Sequence, residues 1–207
     1  MNYFITGTDT DAGKTYVTCL LLEALKRDGI RAAGFKPVCC GDRMDALHLQ
    51  AASEKDAVTL DEINPVWLKV PAAPYAAALM ENRTLDLDQI RAELDVLSSR
   101  FETVLVEGAG GWEVPMAPGM TVADFARSLG LPVIVVVNNK LGALNHALLT
   151  VKNITHRGLT CAGIILNYVK DERDPASISN RAVLAEFTDV PVLAEVMHGE
   201  TEMDWPF

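Results

Sequence analysis

Three short stretches of this sequence hold residues whose types and spacing suit the handling of phosphate: GTDTDAGKT, GFKPV and VEGAGGWEVP. In the first, the apolar run NYFIT enters a loop bounded by Gly7 and Gly13, which opens into KTYVTCLLLEALKR. A strand, a glycine-bounded loop and a helix in that order aim free backbone amides at an anion. Lys14 adds a positive charge there, and the Thr15 hydroxyl suits Mg²⁺. The loop departs from the GxxxxGK[ST] spacing, with five residues between Gly7 and Gly13 and Thr8 where the first glycine usually stands. Asp9 and Asp11 would repel a polyphosphate, so they need another purpose. Either they are solvated turn or helix-start carboxylates, or Asp11 faces a positively charged co-substrate.

The other two stretches add a cation and hard oxygen ligands. Lys36 stands where GFKPV stops, and beside Lys14 it would neutralise charge that develops during phosphoryl transfer. MDALHLQAA starts a helix at Asp45, where an N-cap is the ordinary role of a carboxylate. Glu107 follows the apolar run Val104–Val106, and Gly108, Gly110 and Gly111 let backbone approach a ligand closely. Thr15, Asp45 and Glu107 together supply a hydroxyl and two carboxylates, a donor set that Mg²⁺ completes with water and phosphate.

These residues need a scaffold, and the hydrophobic pattern describes one. Apolar, β-branched runs recur as NYFIT, RAAGFKPV, TVLVEG, PVIVVVN, AGIILNYV and VPVLAEV. Helical patterns separate most of them, over 14–28, 45–53, 86–100, 121–129, 143–157 and 176–188. The expectation is a single α/β domain over 1–207, a three-layer sandwich about a mostly parallel sheet. In such folds, ligands gather beyond the carboxyl ends of the strands. Gly7, Lys36, Glu107, Asn138 and Asn167 are the residues expected at those ends.

The formal charge of −10 argues against nucleic acid or an anionic membrane as the main partner. No apolar run is long enough to span a membrane, and the first residues read as a strand and not as a signal peptide. Cys19, Cys39, Cys40 and Cys161 have neither CxxC nor zinc-ligand spacing, which suits a reducing cytosol.

In order and spacing, GTDTDAGKT, GFKPV and VEGAGGW resemble the dethiobiotin synthetases, and KLGALNHALLT is similar to a fourth signature of that family. The resemblance covers roughly residues 3–167 and implies a phosphate-loop NTPase fold. It implies ATP- and Mg²⁺-dependent closure of a ureido ring from 7,8-diaminononanoate and CO₂, through a carbamate and a carbamic-phosphoric mixed anhydride. Carried over, it gives Thr10, Asp11, Lys14 and Lys36 catalytic roles, with Asp11 beside the diamine. Asp11, Ala12, Gly13, Lys14, Thr15, Tyr16, Asp45 and Glu107 would hold nucleotide or metal. So would Gly108, Ala109 and Gly110, while Asn167, Tyr168, Met197, His198 and Gly199 would lie at the base. Cys40 and Gly111 would contact substrate. Leu141, Gly142, Ala143, Leu144 and Asn145 would bind its distal carboxylate across a homodimer interface, at a helix start whose amides suit an anion. Trp112 and Glu113 fall on the substrate side, with Trp112 a candidate wall for the alkyl chain.

Three features depart from the family pattern. CCG replaces ASG or SSG, so Cys40 presents a thiol, a weaker donor, in place of a hydroxyl. The stretch from Gly41 to Asp45 is shorter than usual, and Met197–Gly199 lacks the usual proline. A nucleotide switch of the MinD type is the competing class. Such a switch would carry a second lysine early in the loop and often a basic amphipathic tail. This chain has Thr8 there and ends in the acidic HGETEMDWPF. Amidoligases of cobyrinate synthesis usually add a glutaminase domain, for which 207 residues leave no room.

Overall fold

The computed structural model describes residues 1–54 and 57–207. The chain begins with β1 (Tyr3–Gly7), α1 (Lys14–Arg27), β2 (Ala32–Phe35), β3 (Val38–Cys40) and α2 (Met44–Ala52). Next come α3 (Leu60–Ile63), β4 (Val66–Leu68), α4 (Pro74–Met80) and α5 (Leu87–Arg100). β5 (Thr103–Gly111), β6 (Pro115–Ala117), β7 (Met120–Thr121) and α6 (Val122–Leu129) follow. The last elements are β8 (Val133–Asn138), α7 (Ala143–His156), β9 (Cys161–Asn167), α8 (Pro175–Phe187) and β10 (Val192–Val196).

Six strands form one sheet in the order β10-β9-β8-β1-β5-β2, and every pairing in it is parallel. The crossovers leave β1 in both directions, so right-handed connections place helices on both faces. All five residues of β1 are buried, as are the first five of β8. Strands covered on both sides read as continuous apolar runs, which explains NYFIT and PVIVVVN.

RAAGFKPV is two strands and not one. β2 ends at Phe35, Pro37 intervenes, and β3 pairs with β4 in a separate two-stranded sheet. Proline lacks the N–H that a continuing ladder requires. The α3–β4 segment, which carries no periodic signal, fixes the backbone at the break. The Lys36 amide donates to the Ile63 carbonyl at 2.7 Å, and the buried Asn64 amide donates to the Lys36 carbonyl at 2.8 Å.

β5 also differs from expectation. Glu107 lies within it and not at its end, because the strand runs on to Gly111. Ile5 pairs with Glu107 and Gly7 with Gly111, so two steps along β1 face four along β5. That bulge lifts Gly108–Gly110 out of the ladder, and Gly110 takes a left-handed φ of 68°. The helices at 86–100, 121–129, 143–157 and 176–188 form within a residue of their expected limits. Beyond residue 200 the chain crosses α1: Arg27 pairs with Glu202 at 3.3 Å, and Phe207 stacks on Tyr3.

Gly34 sets the distance between β2 and α2, the elements flanking Lys36 and Asp45. A Cβ there would lie 2.9 Å from the Leu49 Cβ and 3.1 Å from its Cδ2. Gly34→Ala is therefore expected to destabilise the fold by about 1–3 kcal/mol through overpacking, measured as a lower urea midpoint.

Candidate active site

The phosphate loop takes its shape from Gly13. Its φ of 84° is left-handed, and a Cβ there would fall 2.0 Å from the Asn167 side-chain nitrogen. Only glycine is accommodated. Gly13 is the N-cap of α1, and no side chain caps that end, so the first-turn amides remain open to an anion. Asn167 closes the loop from β9 by donating its amide to the Ala12 carbonyl at 2.9 Å. Lys14 is buried, and its ammonium donates to the Asp9 carbonyl at 3.3 Å. Burial, and then the nearby Lys36, lower its pKa.

Lys36 lies deeper. Its ammonium donates to Glu107 Oε1 at 2.5 Å and to Asp45 Oδ2 at 2.7 Å. Burial opposes its charge, but Glu107 and Asp45 outweigh burial and raise its pKa. Asp45 is the reverse case: burial would raise its pKa, and Lys36 brings it below the ordinary value. The Thr15 hydroxyl donates to the same Glu107 oxygen at 2.8 Å. Thr15, Lys36, Asp45 and Glu107 thus form one cluster drawn from α1, the β2–β3 break, α2 and β5. Glu107 Oε2 is buried with no hydrogen-bond partner among the described residues. An orphaned buried carboxylate oxygen beside a second carboxylate and a hydroxyl is a donor set for a hard cation.

Asp45 is not the N-cap that its position implies. Arg43 occupies that place, and Asp45 sits in the first turn of α2, pointed at Lys36.

Beside the cluster opens a cleft of about 440 Å³. Lys36, Cys40, Asp45, Ala109, Gly110 and Thr10 contribute to it, with Val38, Val114 and the Pro71–Pro74 segment as apolar walls. Cys40 is half-buried, and its thiol is pushed up to about 11, chiefly by burial, so it is protonated at neutral pH. Asp11 is exposed in a left-handed backbone conformation and does not line this cleft. Trp112 does not wall it either. The indole is buried, packs edge-on to Phe4, and donates to Asn153 at 2.8 Å. Glu113 is held by Arg157 at 2.8 Å. Gly111 is buried against Gly7, and Gly108 packs on Phe4 and Val122.

On the β9–β10 side, the Tyr168 hydroxyl donates to Ser177 at 3.1 Å and the ring is buried. Met197–Gly199 form a turn after β10: the Met197 amide donates to Glu200, and His198 Nδ1 is 2.8 Å from the Val169 carbonyl. The Tyr16 hydroxyl donates to the Glu200 carbonyl, joining α1 to that turn. Leu141, Gly142, Ala143, Leu144 and Asn145 lie at the start of α7, capped by the left-handed Gly142, and none of them lines the cleft. Pro71–Pro74 stands in no periodic run or motif, and Val114, although it lies in VEGAGGWEVP, carries no local signal that it would wall the cleft.

Removing one partner of a buried ion pair strands the other. Lys36→Met is expected to lower stability by about 3–5 kcal/mol, and Lys36→Met with Glu107→Met to recover most of it, in urea unfolding followed by circular dichroism.

A family model described as an AAA domain matches residues 1–201. The chain is 53% identical to the ATP-dependent dethiobiotin synthetase BioD of Akkermansia muciniphila, covering 98% of this chain and 95% of that one. It is 45% identical to the protein of the same name from Aromatoleum aromaticum, over 95% and 90% of the two chains. Among solved structures it resembles the septum site-determining protein MinD of Pyrococcus horikoshii, with a TM-score of 0.59 and 20% identity over 95% and 82%. A ParA family ATPase from Chlorobium tepidum gives 0.58 at 12% identity, over 96% and 85%. At such identities the structural likeness speaks for the phosphate-loop fold alone. The sequence likeness extends over nearly the whole of each relative, and the chain belongs to the dethiobiotin synthetase family.

Proposed function

We propose that this chain closes the ureido ring of dethiobiotin from 7,8-diaminononanoate, CO₂ and ATP. The observation that carries this reading is the pair of buried lysines, Lys14 and Lys36, placed between an uncapped helix N-terminus and an apolar-walled cleft. One amine of the substrate adds to CO₂ and loses a proton, giving a carbamate. A carbamate oxygen then attacks the γ-phosphorus of ATP, and ADP leaves. The second amine attacks the carbonyl of the mixed anhydride, and inorganic phosphate leaves as the ring closes.

No step needs a covalent bond to the protein, so the work falls to positioning and charge. The α1 amides and Lys14 would hold the phosphates, and Lys36 would face the carbamate and the transferring phosphoryl. Thr10 and Cys40 line the cleft on the substrate side. Thr15, Asp45 and Glu107 would hold Mg²⁺, which supplies Lewis-acid stabilisation of the phosphate charge. The fit rests on the orphaned Glu107 oxygen and on a donor set of hydroxyl and carboxylates.

Asn167, Tyr168 and the Met197–Gly199 turn would receive the nucleotide base, since they flank the loop beyond β9 and β10. The substrate's carboxylate would meet the α7 N-terminus of a second subunit, where the N-cap Gly142 offers no capping side chain and Asp174 accepts from the Leu141 amide just outside it. Leu141, Leu149 and Ile178 expose apolar surface on that side and support a homodimer. No described helix is long and apolar enough to cross a membrane, and a cytoplasmic location is part of the same proposal.

Purified protein should release phosphate only when diaminononanoate, bicarbonate and Mg²⁺ are all present, and chelation of the metal should abolish the release. Nucleotide turnover indifferent to the diamine would point instead to a switch. Lys14→Ala or Lys36→Ala should reduce kcat by at least roughly 100-fold in the same assay, because each removes charge stabilisation from the transition state.

A further inference from the structure

The cleft has apolar walls for an alkyl chain, yet a diamine also brings ammonium charge, which an anion at the exposed rim would complement. Among the described residues, two carboxylates reach the cleft, Asp42 and Asp45. Asp45 is committed to Lys36 at 2.7 Å. Asp42 forms no ion pair among the described residues. We infer that Asp42 is a substrate-binding residue, which accepts the ammonium of the diamine at the rim of the cleft. The inference rests on the diamine reading of the site and assigns a role to a residue that none of the sequence motifs includes.

The backbone around Asp42 is held on every side. Gly41 donates its amide to the Leu68 carbonyl at 2.9 Å, and its own carbonyl accepts from the Trp67 indole at 2.8 Å. Its left-handed φ of 85° and close approach to Pro71 place the turn against the opposite wall. Arg43, the neighbouring cation, is drawn away from the cleft. Its guanidinium donates to the Asn64 side chain at 3.0 Å, to the Asn64 carbonyl at 2.9 Å and to Asp61 at 3.0 Å. The same group lies over the Trp67 ring. Asp42 is therefore not neutralised by the arginine beside it.

One oxygen of Asp42 is already occupied. Oδ1 accepts from the Met44 amide at 3.1 Å, closing the turn into α2 and fixing the side chain. The carboxylate keeps a second oxygen for a ligand, and its direction is set before the ligand arrives. Such preorganisation lowers the ordering cost of binding. The short stretch from Gly41 to Asp45 gives this location its meaning: Asp42 falls between Cys40, on the cleft wall, and Asp45, beside Lys36. The Cys40 sulfur is a weak acceptor for an ammonium, so the anion two residues on carries more of the amine recognition.

The test is calorimetric titration of 7,8-diaminononanoate into the full-length wild type, Asp42→Asn and Asp42→Ala, at low and at raised salt. Asparagine keeps an oxygen for the Met44 amide and removes only the charge. Asp42→Asn should weaken diamine binding on the order of 10-fold and lose most of its salt dependence, with ATP binding unchanged. Asp42→Ala should weaken it at least as much. Wild-type affinity in Asp42→Asn would overturn the inference even if Asp42→Ala binds poorly, because the residue would then serve only the turn. A wild type that binds no diamine would overturn the reading of the cleft as well, whereas loss confined to the variants leaves that reading standing.

Discussion

An ammonium group buried as deeply as that of Lys36 is stable only if carboxylates come to it, and much of the fold can be understood as the means of bringing them. Glu107 arrives from β5, the neighbour of β2 in the sheet, and Asp45 from α2, whose Leu49 packs on Gly34 of β2. The main chain of Lys36 is held by Ile63 and Asn64, so the side chain has little freedom to withdraw. A salt bridge of this kind adds little net stability compared with an apolar replacement, because desolvation consumes the Coulomb gain. Its geometry fixes one positive charge beside the phosphate loop, the place where the proposed chemistry needs it.

Glycine sets the second constraint, that of close approach. At Gly13 the Asn167 amide occupies the space a side chain would need, and that contact joins the phosphate loop to β9. At Gly110 a positive φ and the nearby Val114 let β5 bulge toward the cleft. Both positions leave backbone, and not side chain, lining the phosphate loop and the cleft. Backbone amides carry partial charge without desolvating an ion, so they can face a polyphosphate in a chain whose net charge is −10.

Much of the site was legible because strong local signals carried it. Gly13, Lys14 and Thr15 follow an unbroken apolar run and precede a helix, and they sit where that pattern puts them. Lys36 was legible from Pro37, which ends β2, although the change of sheet beyond it was not. Glu107 was recognised as a buried acid after an apolar run, but its place inside β5 depends on pairing with β1 about a hundred residues away in sequence. Asp45 had two readings, a cap and a metal ligand, and helix periodicity does not say which of Arg43 and Asp45 stands just outside the first turn. Trp112 next to glycines suits either a pocket wall or packing. Its indole N–H instead found a partner on α7, and local sequence cannot disclose that choice.

The sequence alone determined the alternation of buried strands and amphipathic helices, the phosphate loop, and the set of charged residues at or near strand ends. Those features depend on local spacing, on proline and glycine backbone preferences, and on burial periods of two and 3.6 residues. Tertiary structure decided which charges pair, that α3 and β4 anchor Lys36, that Pro71–Pro74 closes the cleft, and that Arg43 leaves Asp42 unneutralised. Each of these is a contact between segments far apart along the chain. Its energy depends on distance and burial in three dimensions, which no window of neighbouring residues encodes.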